Sequence, residues 1–226
     1  MKKLIIFYTV YTCIYFPLLL LTLFWFGGIY NAGKYSFQSV ITIIIVAEMT
    51  KYFASVIHFK FTDVNLSRKP GDQKLLTVVR NQISSTKFVE GLKNILSVLF
   101  STFIFFLVSI LYGAQVFSKY EETFMFSFLL SILTVLPACL NLGSGSILQL
   151  FVSQPSDKLG KLIYRNIQLT LFGAWLGAFV IPLDWDRPWQ EWPISCSSGA
   201  MIGYTVSHAY KLFRVLTTNS KKVKGK

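Results

Sequence analysis

Glu48 and Lys51, in the stretch VAEMTKYF, form an ionisable pair inside an otherwise apolar run. Three residues apart on a helix, they share a face and neutralise one another, which lowers the cost of burying either charge. Two uses stay open. The pair satisfies itself, with the Lys51 stem reaching toward a membrane interface, or it makes a polar contact to a partner helix or a lipid headgroup. A second polar set interrupts another apolar run at PACLNLGSGSILQ. There Asn141, Ser144, Ser146 and Gln149 line a groove for a headgroup, or Pro137 simply kinks a helix whose glycines have already reached the interface. Together these features would suit a small membrane enzyme or lipid transporter acting on a polar headgroup.

Other chemistry lacks its residues. The histidines are His58, at the end of an apolar run, and His208, whose plain role is a hydrogen bond on a helix-packing face. The sequence holds no HExxH, no GxSxG and no glycine-rich phosphate loop. Cys13, Cys139 and Cys196 lie far apart in or beside apolar runs, which fits small buried hydrophobes better than a disulfide framework or a zinc site. Asp184, Asp186 and Glu191 cluster near Arg187, but no histidine or further acid completes a metal shell. The expectation is a chain with no catalytic set, no metal and no cofactor.

The elements that position these residues are set by hydropathy. The chain has 226 residues, 53% of them hydrophobic, with a mean hydropathy of +0.53, more apolar than a soluble domain buries behind a wetted surface. Each crossing of a bilayer needs roughly 20 apolar residues. The sequence therefore predicts an all-α integral membrane protein, residues 1–216, of about six transmembrane helices in one bundle. The spans fall near 4–27, 37–57, 94–115, 123–152, 164–182 and 192–213, followed by a basic cytosolic tail at 217–226. The first is too long for a signal-peptide core. The fourth would run roughly 46 Å as a straight helix against a core of about 30 Å, so it is expected to be kinked or broken.

Those spans sort the charge of +12. Lys and Arg number two at the N-terminus, seven in 58–93, three in 153–165 and six from Lys211 onward. The alternate loops hold one each, at Lys34, Lys119 and Arg187, with Lys51 inside a span. A split of 18 to 3 puts both termini in the cytosol by the positive-inside rule. It also removes the motive for a nucleic-acid partner, since no folded basic face is left over.

The last two spans carry small residues at intervals of four. Gly173 and Gly177 lie in one, and Ser195, Gly199, Gly203 and Ser207 in the other. Such spacing aligns them on one helix face and lets backbones approach closely. The two faces either pack on each other or receive another protein. Between them FVIPLDWDRPWQEWPIS packs Trp185, Trp189 and Trp192 among acids, Arg187 and three prolines. The tryptophans fit an interfacial belt, and the prolines stiffen the turn. An Arg187 pairing with Asp184 or Asp186 would make it an ordered cap over the hairpin.

From Gly173 to Cys196, GAWLGAFVIPLDWDRPWQEWPISC resembles the phosphatidylinositol-glycan biosynthesis class F protein family. The family segment often carries proline where this chain has Val180, which implies a less broken end of span 5 here. The resemblance implies a non-catalytic subunit of the endoplasmic reticulum membrane. Its partners would be the large multi-pass ethanolamine phosphate transferases that modify mannoses of the glycosylphosphatidylinositol (GPI) anchor precursor, which it stabilises. Membrane lipids, including that precursor, are further candidate contacts. On this view Asp184, Trp185, Asp186, Arg187 and Trp189, with Gly173, Gly177, Gly199 and Gly203, bind the partner or lock the hairpin. Glu48, Lys51 and Asn141 supply polar contacts to lipid or partner. The ending KVKGK, with Lys222 and Lys224, resembles a cytosolic dilysine retrieval signal.

The topology makes a prediction at Asn65, whose NLS tripeptide matches the N-glycosylation pattern but falls in the basic loop. Asn65 is expected to stay unmodified in cells; a gel shift removed by glycosidase, and lost in Asn65→Gln, would invert the orientation.

Overall fold

The computed structural model describes residues 2–57, 73–115, 117–147, 150, 155, 157–183 and 185–224. Asn65, Gln149 and Asp184 lie outside the described residues. No strand occurs among those described, and six long α-helices do: α1 (Lys2–Trp25), α2 (Gln38–Ser55), α3 (Gln73–Leu111), α4 (Tyr120–Leu142), α5 (Lys158–Ala178) and α6 (Ile194–Lys224). The stretches Leu4–Trp25, Tyr35–Ser55, Val89–Leu111 and Tyr120–Leu142 are long and apolar enough to cross a membrane. On composition α5 and α6 do not join them. The same small and polar residues that lower their hydropathy, from Asn166 to Gly177 and from Ser195 to Ser207, are the ones they turn toward the bundle.

Two helices run beyond the spans expected within them. The third helix begins at Gln73, well before the expected start near 94, and the last continues to Lys224, through most of the segment expected as a tail. A helix need not stop where hydropathy does, because its hydrogen bonds are internal and polar residues extend it into water.

α4 is the central helix. Leu129, Ile132, Leu133, Leu136 and Cys139 are all buried, and α2, α3, α5 and α6 pack around it. Ser127 and Thr134 stay in this apolar setting by donating to the carbonyls of Thr123 and Leu130 one turn back, at 2.7 and 2.6 Å. The interruption expected in the fourth span falls at Gly143, with φ 82°, and not at Pro137, through which α4 runs on to Leu142. Proline lacks the N–H that would have bonded the carbonyl of Leu133. Asn166 of α5 replaces it, donating Nδ2 to that carbonyl at 3.2 Å. The orphaned group thus becomes a tie between two helices.

The small-residue faces of α5 and α6 pack on each other, backbone against backbone. A Cβ built on Gly173 would collide with the carbonyl of Gly199, and one on Gly199 with that of Gly173; Gly177 meets Ser195, and Gly203 meets Leu169. These contacts put all four glycines at the interface between α5 and α6. In every case the obstructing atom is main chain, so it cannot swing away. By contrast a Cβ on Gly91, in α3, meets nothing within 4 Å.

Opposite outcomes are therefore expected from one substitution. Gly199→Ala should destabilise by about 1–3 kcal/mol or more through overpacking, while Gly91→Ala should be neutral or stabilise by up to about 1 kcal/mol through helix propensity. Thermal unfolding of both variants in one detergent checks this.

Candidate functional site

The polar residues singled out in α2 and α4 meet at one place. Lys51 donates from Nζ to Glu48 Oε1 at 2.7 Å and lies 2.6 Å from Oε2. Both residues are only 1% exposed. Tyr15 of α1 and Tyr204 of α6 each donate a hydroxyl to Glu48 Oε1, at 2.7 and 2.6 Å. Lys51 also donates to Thr12 Oγ1 at 3.2 Å and stands 5.2 Å over the ring of Tyr8. Tyr8 in turn donates to Asn141 Oδ1 at 2.5 Å and shares a hydrogen bond with Ser55 at 3.2 Å. Asn141 Nδ2 donates to the carbonyl of Pro137 at 2.7 Å. One ion pair thus joins α2 to α1 and α6, and a tyrosine carries the network on to α4.

The Lys51 stem does not run out to an interface, because Glu48, Thr12 and Tyr8 hold its ammonium inside the bundle. Both ends of the Asn141 amide are used within the chain as well. His208 is buried with its ring 4.9 Å from that of Tyr204. Among the described residues its Nδ1 has no hydrogen-bond partner. The partners of Glu48 had a readable signal. Tyr8, Thr12 and Tyr15, at intervals of four and three, form a polar stripe on one face of α1.

The second group is the turn between α5 and α6. Its organiser is Gln190, which is 7% exposed among otherwise exposed neighbours. Its Nε2 donates to the carbonyls of Val180 and Leu183, at 2.8 and 2.6 Å, and its Oε1 accepts from the N–H of Arg187 at 2.9 Å. One amide thereby fastens the descending chain to the end of α5. Arg187 forms no ion pair with Asp186, and Asp184 lies outside the described residues. An exposed pair of adjacent charges gains little in water, whereas a buried amide meeting two carbonyls satisfies groups that nothing else reaches. Asp186 takes φ 48° at the tip, a conformation that aspartate tolerates better than most residues.

The cap also has an inner and an outer tryptophan face. Trp192 donates Nε1 to Thr123 Oγ1 at 3.1 Å and meets Phe126 edge-on at 5.1 Å, which ties the turn to α4. Trp185 and Trp189 pack on each other at 5.9 Å and remain 54% and 36% exposed. With Tyr112, Gly113 and Lys119 of the α3–α4 connection, the cap borders a cleft of about 790 Å³ carrying Lys119, Asp186, Arg187 and Glu191. Among the described residues no group of three or more metal-ligating side chains occurs.

The ion pair makes a prediction about stability. Lys51→Met should lower it by about 3–5 kcal/mol, because a carboxylate is left buried without its cation. Adding Glu48→Gln should recover part of that loss, since the neutral amide still accepts from Tyr15 and Tyr204. A double-mutant cycle by thermal unfolding reads the difference.

The chain matches the GPI biosynthesis protein family Pig-F over residues 5–212. It is 42% identical over 125 residues to the Mus musculus protein named GPI ethanolamine phosphate transferase, stabilizing subunit, covering 53% of this chain and 56% of the mouse protein. The Homo sapiens protein of that name aligns with the same identity and coverage. Glycosylphosphatidylinositol anchor biosynthesis protein 11 of Yarrowia lipolytica is 37% identical over 174 residues, 74% of this chain and 72% of the yeast protein. The match thus spans little more than half of the mouse and human relatives, and most of the yeast one. No solved structure matches the chain. A family match that begins in α1 and ends in α6 takes in the buried ion pair, the glycine hairpin and the tryptophan cap together, and the chain belongs to the GPI biosynthesis protein family Pig-F.

Proposed function

We propose that this chain is a non-catalytic, stabilising subunit of an ethanolamine phosphate transferase in GPI-anchor biosynthesis. The observation that carries the reading is the shared name of the mouse and human relatives, stabilizing subunit, at 42% identity. The interior supports it in physical terms. The charged pair and its tyrosines face one another, so the groups that a membrane enzyme would offer to substrate are engaged in holding helices together.

On this proposal the chain is a multi-pass protein of the endoplasmic reticulum membrane with six spans. Its basic ends are cytosolic and the cap is lumenal, in keeping with the distribution of Lys and Arg. The partner is a large multi-pass transferase subunit. Gln190 and Trp192 hold the turn, and the exposed Trp185 and Trp189, flanked by Asp186 and Arg187, are free to touch that partner. Large aromatic side chains and arginine are the residue types that dominate binding energy at interfaces.

Purification of the tagged chain from microsomes in mild detergent, followed by protein identification, is expected to recover an ethanolamine phosphate transferase. Trp185→Ala combined with Trp189→Ala should reduce that recovery at least about tenfold, or ~1.4 kcal/mol of binding, while thermal unfolding of the chain alone stays unchanged. Gln190→Leu should instead lower the chain's own stability. Equal transferase recovery with wild type and the double variant would sink the cap as an interface.

A further inference from the structure

The cleft beside the tryptophan cap has two walls from distant parts of the chain. Tyr112, Gly113 and Lys119 of the α3–α4 connection form one, and Asp186, Arg187 and Glu191 of the turn after α5 form the other. Both are fixed from behind. Gln190, itself part of the lining, fastens the turn through Val180, Leu183 and Arg187. The opposite wall is tied to the end of α3, where Gly113 and Ala114 donate their N–H groups to the carbonyls of Ile110 and Ser109 at 2.9 and 3.0 Å. The volume of about 790 Å³ falls within the roughly 300–1,000 Å³ of small-molecule sites. Trp185 and Trp189 are not among the lining residues, so the cleft and the exposed tryptophan face are different surfaces of the turn.

The charges indicate what fits. Among the described residues the lining holds two cations, Lys119 and Arg187, and two carboxylates, Asp186 and Glu191, and no ion pair joins one sign to the other. A simple anion would meet the cations but also the carboxylates, and a simple cation the reverse. A zwitterion meets each charge with its opposite. Depth narrows the class further. The apolar stretches Val89–Leu111 and Tyr120–Leu142 end and begin at the edges of the α3–α4 connection, which puts the cleft just outside the spans, at the level where tyrosine and tryptophan such as Tyr112 and Trp192 collect. Leu111 and Phe179, each adjacent in sequence to a lining residue, are 84% and 56% exposed, so apolar surface continues from the charged walls. A guanidinium and an ammonium suit a phosphodiester, and the three N–H donors of a primary ammonium suit a pair of carboxylates.

We propose that this cleft binds a zwitterionic headgroup in which a phosphodiester and a primary ammonium share one short arm, with Lys119 and Arg187 on the phosphate and Asp186 and Glu191 on the ammonium. The proposal rests on the two walls of the cleft and stands whatever protein the chain assembles with.

Native mass spectrometry of the purified full chain in mild detergent tests this, with phosphatidylethanolamine, phosphatidylcholine and phosphatidylglycerol of identical chains as probes. Phosphatidylethanolamine is expected to bind at least about tenfold more tightly than phosphatidylglycerol, which has no ammonium, and than phosphatidylcholine, whose methylated ammonium has no N–H to donate. Asp186→Asn with Glu191→Gln should turn the preference toward phosphatidylglycerol, whereas Lys119→Gln with Arg187→Gln should weaken both lipids. Equal binding of phosphatidylethanolamine and phosphatidylglycerol by the wild-type chain overturns the proposal, and this comparison decides even if a variant fails to fold. Phosphatidylcholine bound as tightly as phosphatidylethanolamine would show a general lipid surface and would overturn it as well. Soluble glycerophosphoethanolamine then separates the sources of the headgroup. Failure to displace phosphatidylethanolamine at equal concentration supports a membrane lipid as ligand, and displacement supports the same headgroup carried on another molecule.

Discussion

A carboxylate and an ammonium taken out of water need other partners, and in this chain the search for partners determines which helices touch. Glu48 and Lys51 neutralise each other, but an ion pair alone leaves lone pairs and N–H groups unmet. Tyr15, Tyr204 and Thr12 meet them from α1 and α6. Losing one member of such a set costs about 3–5 kcal/mol, because the other is stranded. In a bilayer this has particular weight. Lipid chains are as apolar as leucine, so burying leucine against leucine does little to choose one helix face over another. A polar network with one satisfied geometry does choose.

The same logic runs through the backbone. Pro137 strips the Leu133 carbonyl of its helical partner, and Asn166 supplies a new one from α5. Gly173, Gly177, Gly199 and Gly203 remove the side chains that would hold α5 and α6 apart, so main chain packs on main chain. Gln190 meets the carbonyls left where α5 ends. In each case an unsatisfied or uncovered backbone group is completed by a different element, which turns a local defect into a tertiary contact. The helix pair least apolar by composition is in this way the one most closely packed.

What the sequence makes legible follows from whether the information is local. The glycine and serine intervals of α5 and α6 are local, and their spacing alone announces close-packed helix faces. So is the pairing of Glu48 with Lys51, three residues apart. Their further partners are not local. Nothing near Glu48 names Tyr204, which is 156 residues away, although the Tyr8, Thr12 and Tyr15 stripe on α1 shows that some helix face is looking for a polar partner. That α4 continues through Pro137 was hidden for the same reason, since the donor that meets the freed carbonyl lies on α5. The cap shows a subtler limit. Charged residues draw attention to Asp184, Asp186 and Arg187, yet the turn is organised by Gln190, because a neutral amide can be buried between carbonyls at far lower cost than a charge. The start of α3 at Gln73 was hidden too, as hydropathy reports where lipid begins, not where a helix does.

These choices leave a bundle whose reactive-looking groups face inward and whose distinctive outward groups sit at its two ends. At one end, Trp185 and Trp189 stand exposed on a turn that Gln190 and Trp192 keep fixed. At the other, Arg165 of α5 lies over the ring of Tyr210 of α6. A surface meant to hold another protein gains from such rigidity, because little conformational freedom remains to be lost on binding. Glu48 accepts from three donors on one oxygen and lies against the Lys51 ammonium on the other. What this set delivers to the outside is the fixed spacing of the helices it joins.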